Sequence, residues 1–337
     1  MTDQFLFVGN FLQAHKSTVG ISQKICNWLK EEDQLIVKGV SNRKNQFFRF
    51  IDIVRSILTI RPKLIYADTY SDKAFLIAAV AVFCAKLIGS KINLTLRGGK
   101  LVEFYHKYPG IIGWVLRKAD TLSSPSLFLV EKFGQLGFRV NYFPNPVRLD
   151  HFPFDRMNVK PHTLLWVRGF NAIYNPELAV RTLYEIRKKF PDARLTMIGP
   201  DGGLLANIKL LINSLNLNEA IDIPGPVPNE ELFRYFQTHE VYLNTTSYES
   251  FGVAVVEAAS CGIPIVSTNV GEIPYIWQHE KNILLVQDFQ PESFAKQIDR
   301  ILVDHELARQ LSLSAQQISD SFSWTRLKPE WLKIIHQ

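Results

Sequence analysis

Short apolar runs alternate with longer segments of helical period along the first half of the chain. The apolar runs, which are typical of buried strands, lie at Phe5–Val8, Gln34–Val37, Leu64–Tyr66 and Ile92–Leu96. The segments of helical period are Gly20–Lys30, Phe47–Ile60, Ala74–Lys86 and Ile111–Lys118. Strands separated by helices of this length predict βαβ units and therefore a parallel sheet.

A proline-rich stretch interrupts this alternation between residues 144 and 162. It contains Pro144, Pro146, Pro153 and Pro161 and few apolar runs. Because proline lacks a backbone donor and stops a helix, the stretch predicts a linker between two domains.

The same alternation resumes after the linker. The strands predicted there are Leu164–Val167, Arg194–Ile198, Ile221–Ile223, Val241–Leu243, Ile263–Ser267 and Ile283–Val286. The helices predicted there are Pro176–Phe190, Pro291–Val303, Glu306–Asp320 and Leu327–Ile335. We therefore expect an α/β protein with two doubly wound, Rossmann-like domains facing each other across a cleft. The domains are predicted at 1–149 and 150–320, followed by a helix at 321–337 that is free to pack back on the first domain.

Charge is distributed unevenly between the two halves. Residues 1–149 contain 21 Lys and Arg against 10 Asp and Glu, a net +11, whereas residues 150–337 contain 17 against 22, a net −5. The basic half suggests an anionic partner, which could be a membrane surface, an anionic acceptor or nucleic acid. Phe47–Ile60, with Arg49 and Arg55 among apolar residues, is either an interfacial helix or an ordinary amphipathic helix on the sheet.

The composition favours a globular protein of the cytoplasm. Apolar residues make up 47% of the 337 residues, the N-terminus lacks a signal-peptide pattern, and the longest apolar run, Phe75–Ala85, is too short to span a bilayer. Peripheral association with the inner face of the cell membrane stays open. Three separated cysteines suggest buried thiols in a reducing compartment, and no aromatic and basic platform indicates nucleic-acid binding.

The segment Asn244–Ile276 contains the most specific chemical pattern. A predicted strand ends at Leu243, polar residues follow, and Gly252 opens a short helix, Val253–Ser260. Amides and dipole at such a helix start form an anion site suited to a diphosphate. Glu249 and Glu257 flank it, and carboxylates accept hydrogen bonds from sugar hydroxyls. The pattern therefore predicts a sugar-nucleotide site.

This segment closely resembles the retaining family 4 glycosyltransferases. Their pattern E-x-F-G-x-x-x-x-E appears as ESFGVAVVE, and it is followed by AASCGIPIV and VGEIP. The resemblance implies a GT-B fold, with the acceptor on the N-terminal side and the donor on the C-terminal domain. It further implies that Glu249 contacts the donor sugar and that Glu257 holds the ribose. Backbone amides at Phe251, Gly252 and Val253 would help to bind the sugar, and the helix amides just after them would meet the distal phosphate. Ser250 belongs to the same donor-binding segment.

The same resemblance extends beyond this segment with weaker motifs. The family places an Arg after the first strand of the second domain and a Lys five residues later. Arg168 fits the first, but position 173 is Ile. Gly199 would approach the nucleotide and Val227 the base, while Gly20 belongs to a loop facing the donor phosphates. Where many members have a His after the fourth strand, this chain has Arg97.

The resemblance implies a retaining transfer of a hexose-type sugar from a nucleotide-diphosphate donor to a glycan or lipid-linked acceptor. Because no Asp-x-Asp motif is present, we expect no metal and no cofactor besides the donor itself, and Arg168 and the helix N-terminus would meet the charge of the leaving group. The missing Lys and the Arg at position 97 keep a weak or inactive nucleotide-sugar-binding protein open. A nucleotide-sugar epimerase is a further alternative, distinguished by needing no acceptor.

Overall fold

The computed structural model describes residues 4–9, 20–32, 36–43, 45–156 and 158–336. The chain divides into two compact units. The first comprises Met1–Asn145 and Glu330–Gln337, and the second Pro146–Pro329. The proline-rich stretch that was interpreted as a linker begins within two residues of this division.

The first unit contains a six-stranded parallel sheet in the order β2-β1-β3-β4-β5-β6. Its strands are β1 (Gln4–Val8), β2 (Ile36–Val40), β3 (Leu64–Thr69), β4 (Lys91–Leu96), β5 (Thr121–Ser124) and β6 (Val140–Tyr142). Its helices are α1 (Ile21–Glu32), α2 (Gln46–Ile60), α3 (Phe75–Ile88), α4 (Lys100–Lys107), α5 (Pro109–Lys118) and α6 (Leu127–Gln135).

The second unit also contains a six-stranded parallel sheet, in the order β12-β11-β10-β7-β8-β9. Its strands are β7 (Thr163–Val167), β8 (Arg194–Ile198), β9 (Ile221–Gly225), β10 (Val241–Asn244), β11 (Ile265–Thr268) and β12 (Leu284–Val286). The first helices are α7 (Pro176–Arg187), α8 (Leu205–Ser214), α9 (Phe233–Thr238) and α10 (Val253–Ser260). The remaining helices are α11 (Ile273–Ile276), α12 (Pro291–Val303), α13 (His305–Asp320) and the first part of α14 (Trp324–His336).

Each sheet is buried by helices, which explains the continuous apolar runs of its strands. All five residues of β7 are buried, as are residues 65–69 of β3. Parallel strands covered on both faces lose the alternation of an exposed sheet. The prediction of two doubly wound α/β domains is confirmed.

Several element boundaries differ from the sequence-based prediction. The predicted strand Gln34–Val37 becomes β2 at Ile36–Val40, and residues 33–35 lie outside the described ranges. The last helix begins three residues before Leu327, with Pro329 inside it. From Glu330 onward α14 belongs to the first unit, where the Trp331 ring lies 6.1 Å from Phe7 and 5.2 Å from Tyr66 between ring centroids.

Candidate active site

The strand order of the second unit reverses between β7 and β10, which predicts a binding site at the carboxyl ends of these two strands. β7 pairs with β10, and the chain moves outward from this pair in both directions, to β8 and to β11. Ligands of doubly wound sheets bind at the carboxyl ends of the strands where the order reverses in this way. The residues that follow β7 and β10 are therefore the first candidates for a binding site. They are Arg168 and the loop 245–252.

Arg168 and Glu249 form a buried ion pair at this edge. Nη2 of Arg168 lies 2.6 Å from Oε2 of Glu249, and each side chain is only 10% exposed. The Arg168 guanidinium also stands 5.2 Å from the centre of the Tyr174 ring. Burial by itself would lower the pKa of Arg168, but the attraction of Glu249 outweighs it and raises that pKa above its ordinary value. Arg168 is therefore a permanent cation.

Arg168 keeps donors for a further partner. The hydrogen bonds of its side chain to described residues, to Glu249 and more weakly to Asn244, both use Nη2. A guanidinium has five N–H donors. The buried Nε makes no hydrogen bond to any described residue. An anion arriving at this edge would meet a fixed guanidinium that still has donors to offer.

The loop before α10 holds Glu249 in place. Oε1 of Glu249 accepts hydrogen bonds from the amides of Ser250 and Phe251, at 3.2 and 3.4 Å. The ring of Phe251 is buried and packs edge-on against Phe322. With both its oxygens engaged, Glu249 has a defined position.

Gly252 sets the start of α10. Its φ of 88° is left-handed, a conformation that glycine adopts readily. Its carbonyl accepts from the amides of Val255 and Val256, and no side chain caps the helix. The amides of Val253 and Ala254 precede the first intrahelical donors and form the positive end of the helix. The predicted anion site is thus adjacent to the Arg168–Glu249 pair.

Two glycines allow the backbone to approach both members of the pair. A Cβ on Gly199 would lie next to the carbonyl oxygen of Arg168, and a Cβ on Gly271 next to the carbonyl oxygen of Glu249. Both distances, 1.9 and 2.0 Å, are far below van der Waals contact. A role for Gly199 at the nucleotide stays a prediction from the resemblance. The structure gives Gly199 a direct packing role beside Arg168, while Gly271 lies in the VGEIP motif and was not predicted as a site residue.

Glu257 lies one turn into α10 and is 4% exposed. Its Oε1 accepts a hydrogen bond of 3.0 Å from Nδ2 of Asn229. Asn229 follows β9 in the segment that contains the half-buried Val227. The structure therefore brings Glu257 near the segment that was predicted to face the base. The sequence pattern did not identify Asn229 as a site residue. Its position two residues after Val227, in the segment predicted to face the base, could have suggested it.

Position 173, where the family pattern has Lys, supports the loop by its main chain. The carbonyl oxygen of Ile173 accepts from the amide and hydroxyl of Ser247, at 2.7 and 2.9 Å, and from the Thr246 hydroxyl at 3.2 Å. The Ile173 side chain is 51% exposed. The main chain at position 173 thus stabilises the loop that contains Glu249, but it does not supply the positive charge of the Lys in the family pattern.

The first unit contains a second buried ion pair, at Arg97. Its Nε donates to Oδ1 of Asp68 at 2.5 Å, Nη1 to Asn145 at 2.9 Å, and Nη2 to Ser22 at 3.4 Å. Burial acts to lower the pKa of Arg97, but Asp68 holds it above its usual range. In this chain, the position where many family members have a His is occupied by Arg97, which forms a network of hydrogen bonds with these three side chains. Gly20, exposed, precedes α1, and its carbonyl accepts from the amides of Gln23 and Lys24.

Within the described ranges, no group of three or more His, Cys, Asp or Glu side chains is arranged to hold a metal ion. Nor does any helix in the described part of the chain combine the length and hydrophobicity needed to cross a membrane.

Comparison with solved structures defines the class of fold. Sucrose-phosphate synthase from Thermosynechococcus elongatus superposes with a TM-score of 0.80 at 16% identity, over 99% of this chain and 98% of that one. The Anabaena protein HepE, solved in complex with UDP and glucose, gives 0.79 at 14% identity, over 99% and 100%. The two six-stranded parallel sheets are those of the GT-B fold.

The model of the family described as glycosyl transferases group 1 matches residues 148–318. The chain belongs to this family.

Among curated relatives, the D-inositol 3-phosphate glycosyltransferase of Corynebacterium jeikeium is 26% identical over 165 residues, 47% of this chain and 39% of the relative. That of Pseudarthrobacter chlorophenolicus is 26% identical over 259 residues, 72% of this chain and 62% of the relative. The aligned region thus spans less than two thirds of the length of either relative.

Proposed function

We propose that this chain is a glycosyltransferase that moves a hexose-type sugar from a nucleoside-diphosphate donor to an acceptor hydroxyl. The observation that carries the proposal is the buried Arg168–Glu249 pair beside the uncapped start of α10. One side of this arrangement is cationic and offers N–H donors, which suits a diphosphate. The other side is a carboxylate that accepts hydrogen bonds, which suits sugar hydroxyls.

Glu257 completes the proposed donor site. It is buried on α10, where its Oε1 accepts a hydrogen bond from Asn229. Ribose hydroxyls are the donors that such a carboxylate binds in nucleotide sites. Val227, near Asn229, gives the base an apolar contact. The Anabaena protein HepE was solved with UDP, which supports a uridine nucleotide as the first donor to test.

The charges of the site support a reaction without a metal ion. As the bond from the anomeric carbon to the diphosphate breaks, negative charge grows on the leaving phosphate, where Arg168 and the amides of Val253 and Ala254 stabilise it. The acceptor oxygen bonds to the anomeric carbon on the same face, and its proton passes to an oxygen of the leaving phosphate. Configuration is retained, and Glu249 positions the sugar through its hydroxyls.

A single assay tests the proposal against its alternatives. The protein is incubated with UDP-glucose and other nucleotide sugars, with and without a panel of hydroxyl acceptors, and released nucleotide and sugar products are followed by NMR. We expect nucleotide release that depends on the acceptor and a product with the donor's anomeric configuration. Binding without release across the panel would favour an inactive binding protein, an altered sugar nucleotide without acceptor would favour an epimerase, and an inverted product would exclude retention.

We further propose that the first unit docks on an anionic membrane, where a lipid-linked or envelope acceptor is reached. The helices α2, α3 and α5 lie side by side, since α3 packs on both others. Together they expose large apolar side chains, which form what we term the apolar surface: Phe47, Phe48, Ile51, Leu76, Phe83, Leu87, Ile111 and Trp114. α2 also buries Ile53 and Ile57, so it packs on the sheet and still presents phenylalanines outward. An apolar surface on the basic half of the chain suits an anionic bilayer.

Vesicle binding tests the docking proposal. The double variant Ile111→Ser/Trp114→Ser removes two exposed side chains that would enter the interface, and we expect about tenfold weaker binding to vesicles containing phosphatidylglycerol, roughly 1.4 kcal/mol. Leu210→Ser in the second unit is the matched control, because Leu210 is 70% exposed and Ile111 69%. Binding of the unaltered protein should weaken as salt rises. Equal binding of both variants, or binding indifferent to lipid charge, would exclude this surface.

A further inference from the structure

The first unit has a reversal of strand order of its own. β1 pairs with both β2 and β3, and the chain moves outward from β1 to β2 and from β3 to β4. The carboxyl ends of β1 and β3 therefore mark the place where a doubly wound sheet binds its ligand. Gly9 follows β1, and Asp68 and Tyr70 lie at the end of β3.

A cavity of about 480 Å³ opens at this edge. Its size falls in the usual range for small-molecule sites. Gly9, Asp68 and Tyr70 contribute its polar part. Its apolar walls come from α2 and the start of α3, and they include Phe47, Phe50, Leu76 and Ile77. We refer to it as the α2–α3 cavity.

The charges around the α2–α3 cavity favour an anion. Among the described residues, Arg49 and Lys73 line it together with one acid, Asp68. The charge of Asp68 is already met by the buried Arg97. Burial, with the charge of Asp68 next, raises the pKa of Tyr70 to about 12, so its hydroxyl stays neutral. The cavity therefore presents a net positive charge.

Asp68 can still accept a hydrogen bond from a hydroxyl group of a ligand. Its Oδ1 receives the hydrogen bonds from Arg97 and Ser22, whereas no described residue donates to Oδ2. A Cβ on Gly9 would come within 2.8 Å of that oxygen. Glycine at position 9 thus leaves the space beside Oδ2 open to a ligand.

We propose that the α2–α3 cavity binds the acceptor, and that the acceptor is an amphiphile with a hydrocarbon chain and a phosphate group. The chain lies against the walls from α2 and α3, the phosphate meets Arg49 and Lys73, and a hydroxyl of the acceptor donates to Asp68. This inference rests on the proposed glycosyltransferase function and names the class of its second substrate. Apolar walls and two cations around one paired acid fit this class better than a free sugar, which has no apolar chain to bury.

Binding of octyl phosphate to the full chain, at concentrations below micelle formation, tests the inference. We expect saturable binding in calorimetric titration and about tenfold weaker binding in Leu76→Glu, because a charge there enters the apolar wall. Leu210→Glu is the matched control. It lies on α8 in the second unit, outside both the cavity and the apolar surface, with 70% exposure against 59% for Leu76. Both side chains are exposed, so both variants should fold.

Two further arms separate the parts of the ligand. Lys73→Gln should weaken octyl phosphate binding severalfold but leave octyl glucoside unchanged, and inorganic phosphate alone should show no saturable binding. Equal losses in Leu76→Glu and Leu210→Glu, or equal affinity for octyl phosphate and octyl glucoside, would overturn the inference. UDP binding in the same samples reports the donor site separately. If the unaltered protein binds UDP but not octyl phosphate, only the proposed class of acceptor is rejected. If the unaltered protein does not bind UDP, the proposed function itself is rejected.

Discussion

Replacing Glu249 by Gln is expected to lower kcat by about 100-fold. A hydrogen bond to a charged group contributes about 1.5–3 kcal/mol, and each 1.4 kcal/mol corresponds to a factor of ten. The variant weakens the proposed contact with the sugar and also removes the negative charge that pairs with Nη2 of Arg168 at 2.6 Å. Both changes act at the reacting centre. The measurement is the rate of acceptor-dependent nucleotide release at saturating donor.

The same substitution should reduce the free energy of unfolding. Removing one member of a buried ion pair costs about 3–5 kcal/mol, because the remaining charge stays buried without its partner. Glu280→Gln is the control, since Glu280 pairs with Arg300 at 2.7 Å but both side chains are exposed, 52% and 36%. A pair of that kind contributes at most about 1 kcal/mol. Wild-type kcat in a correctly folded Glu249→Gln protein would refute the assigned role.

Much of the fold follows from local patterns in the sequence. The helices Val253–Ser260 and Pro291–Val303 and the strand Arg194–Ile198 begin and end where the pattern predicts. In each case a glycine, a proline or the edge of an apolar run defines an end. Such signals are local, so a single sequence is sufficient to read them.

The hydrophobic pattern did not predict other elements, because these are stabilised by tertiary contacts and lack an apolar run of their own. β5, with the sequence TLSS, lacks an apolar run. Its serines are nevertheless buried, because Ser123 accepts from Asn93 at 2.9 Å and Ser124 donates to the carbonyl of Leu96 at 3.0 Å. The neighbouring strand supplies both partners, 28 or more residues away in the sequence. A polar strand of this kind cannot be recognised until its neighbours are known.

The candidate site divides in the same way. Glu249, Gly252 and Glu257 lie within one motif, so their grouping was predictable. The ion pair of Glu249 with Arg168 joins residues 81 positions apart. It forms because β7 and β10 are adjacent and parallel, which periodicity does not reveal. A role for Arg168 on the donor phosphates stays a prediction. The structure shows that Arg168 is the counter-ion of Glu249.

Gly271 provides the second large effect, because its role is steric. Its φ of 56° is left-handed, but the more severe constraint is the Glu249 carbonyl oxygen, 2.0 Å from where a Cβ would stand. The Gly271→Ala variant must move the Glu249 loop to avoid this overlap. Overpacking of this kind costs about 1–3 kcal/mol. A displacement near 1 Å at a reacting group can lower the rate by about 100-fold.

The control for Gly271→Ala isolates the clash from the backbone conformation. Gly137 has a φ of 84°, and nothing lies within 4 Å of a Cβ built on it. Gly137→Ala should therefore lose only the cost of a left-handed alanine, about 1–2 kcal/mol, with kcat unchanged. Unfolding by denaturant and nucleotide release measured on both variants should show a larger loss of stability in Gly271→Ala and a fall in kcat confined to it. Equal losses of stability and of kcat in the two variants would contradict this prediction. They would mean that the Glu249 loop can move at little cost and that the reaction does not depend on its position.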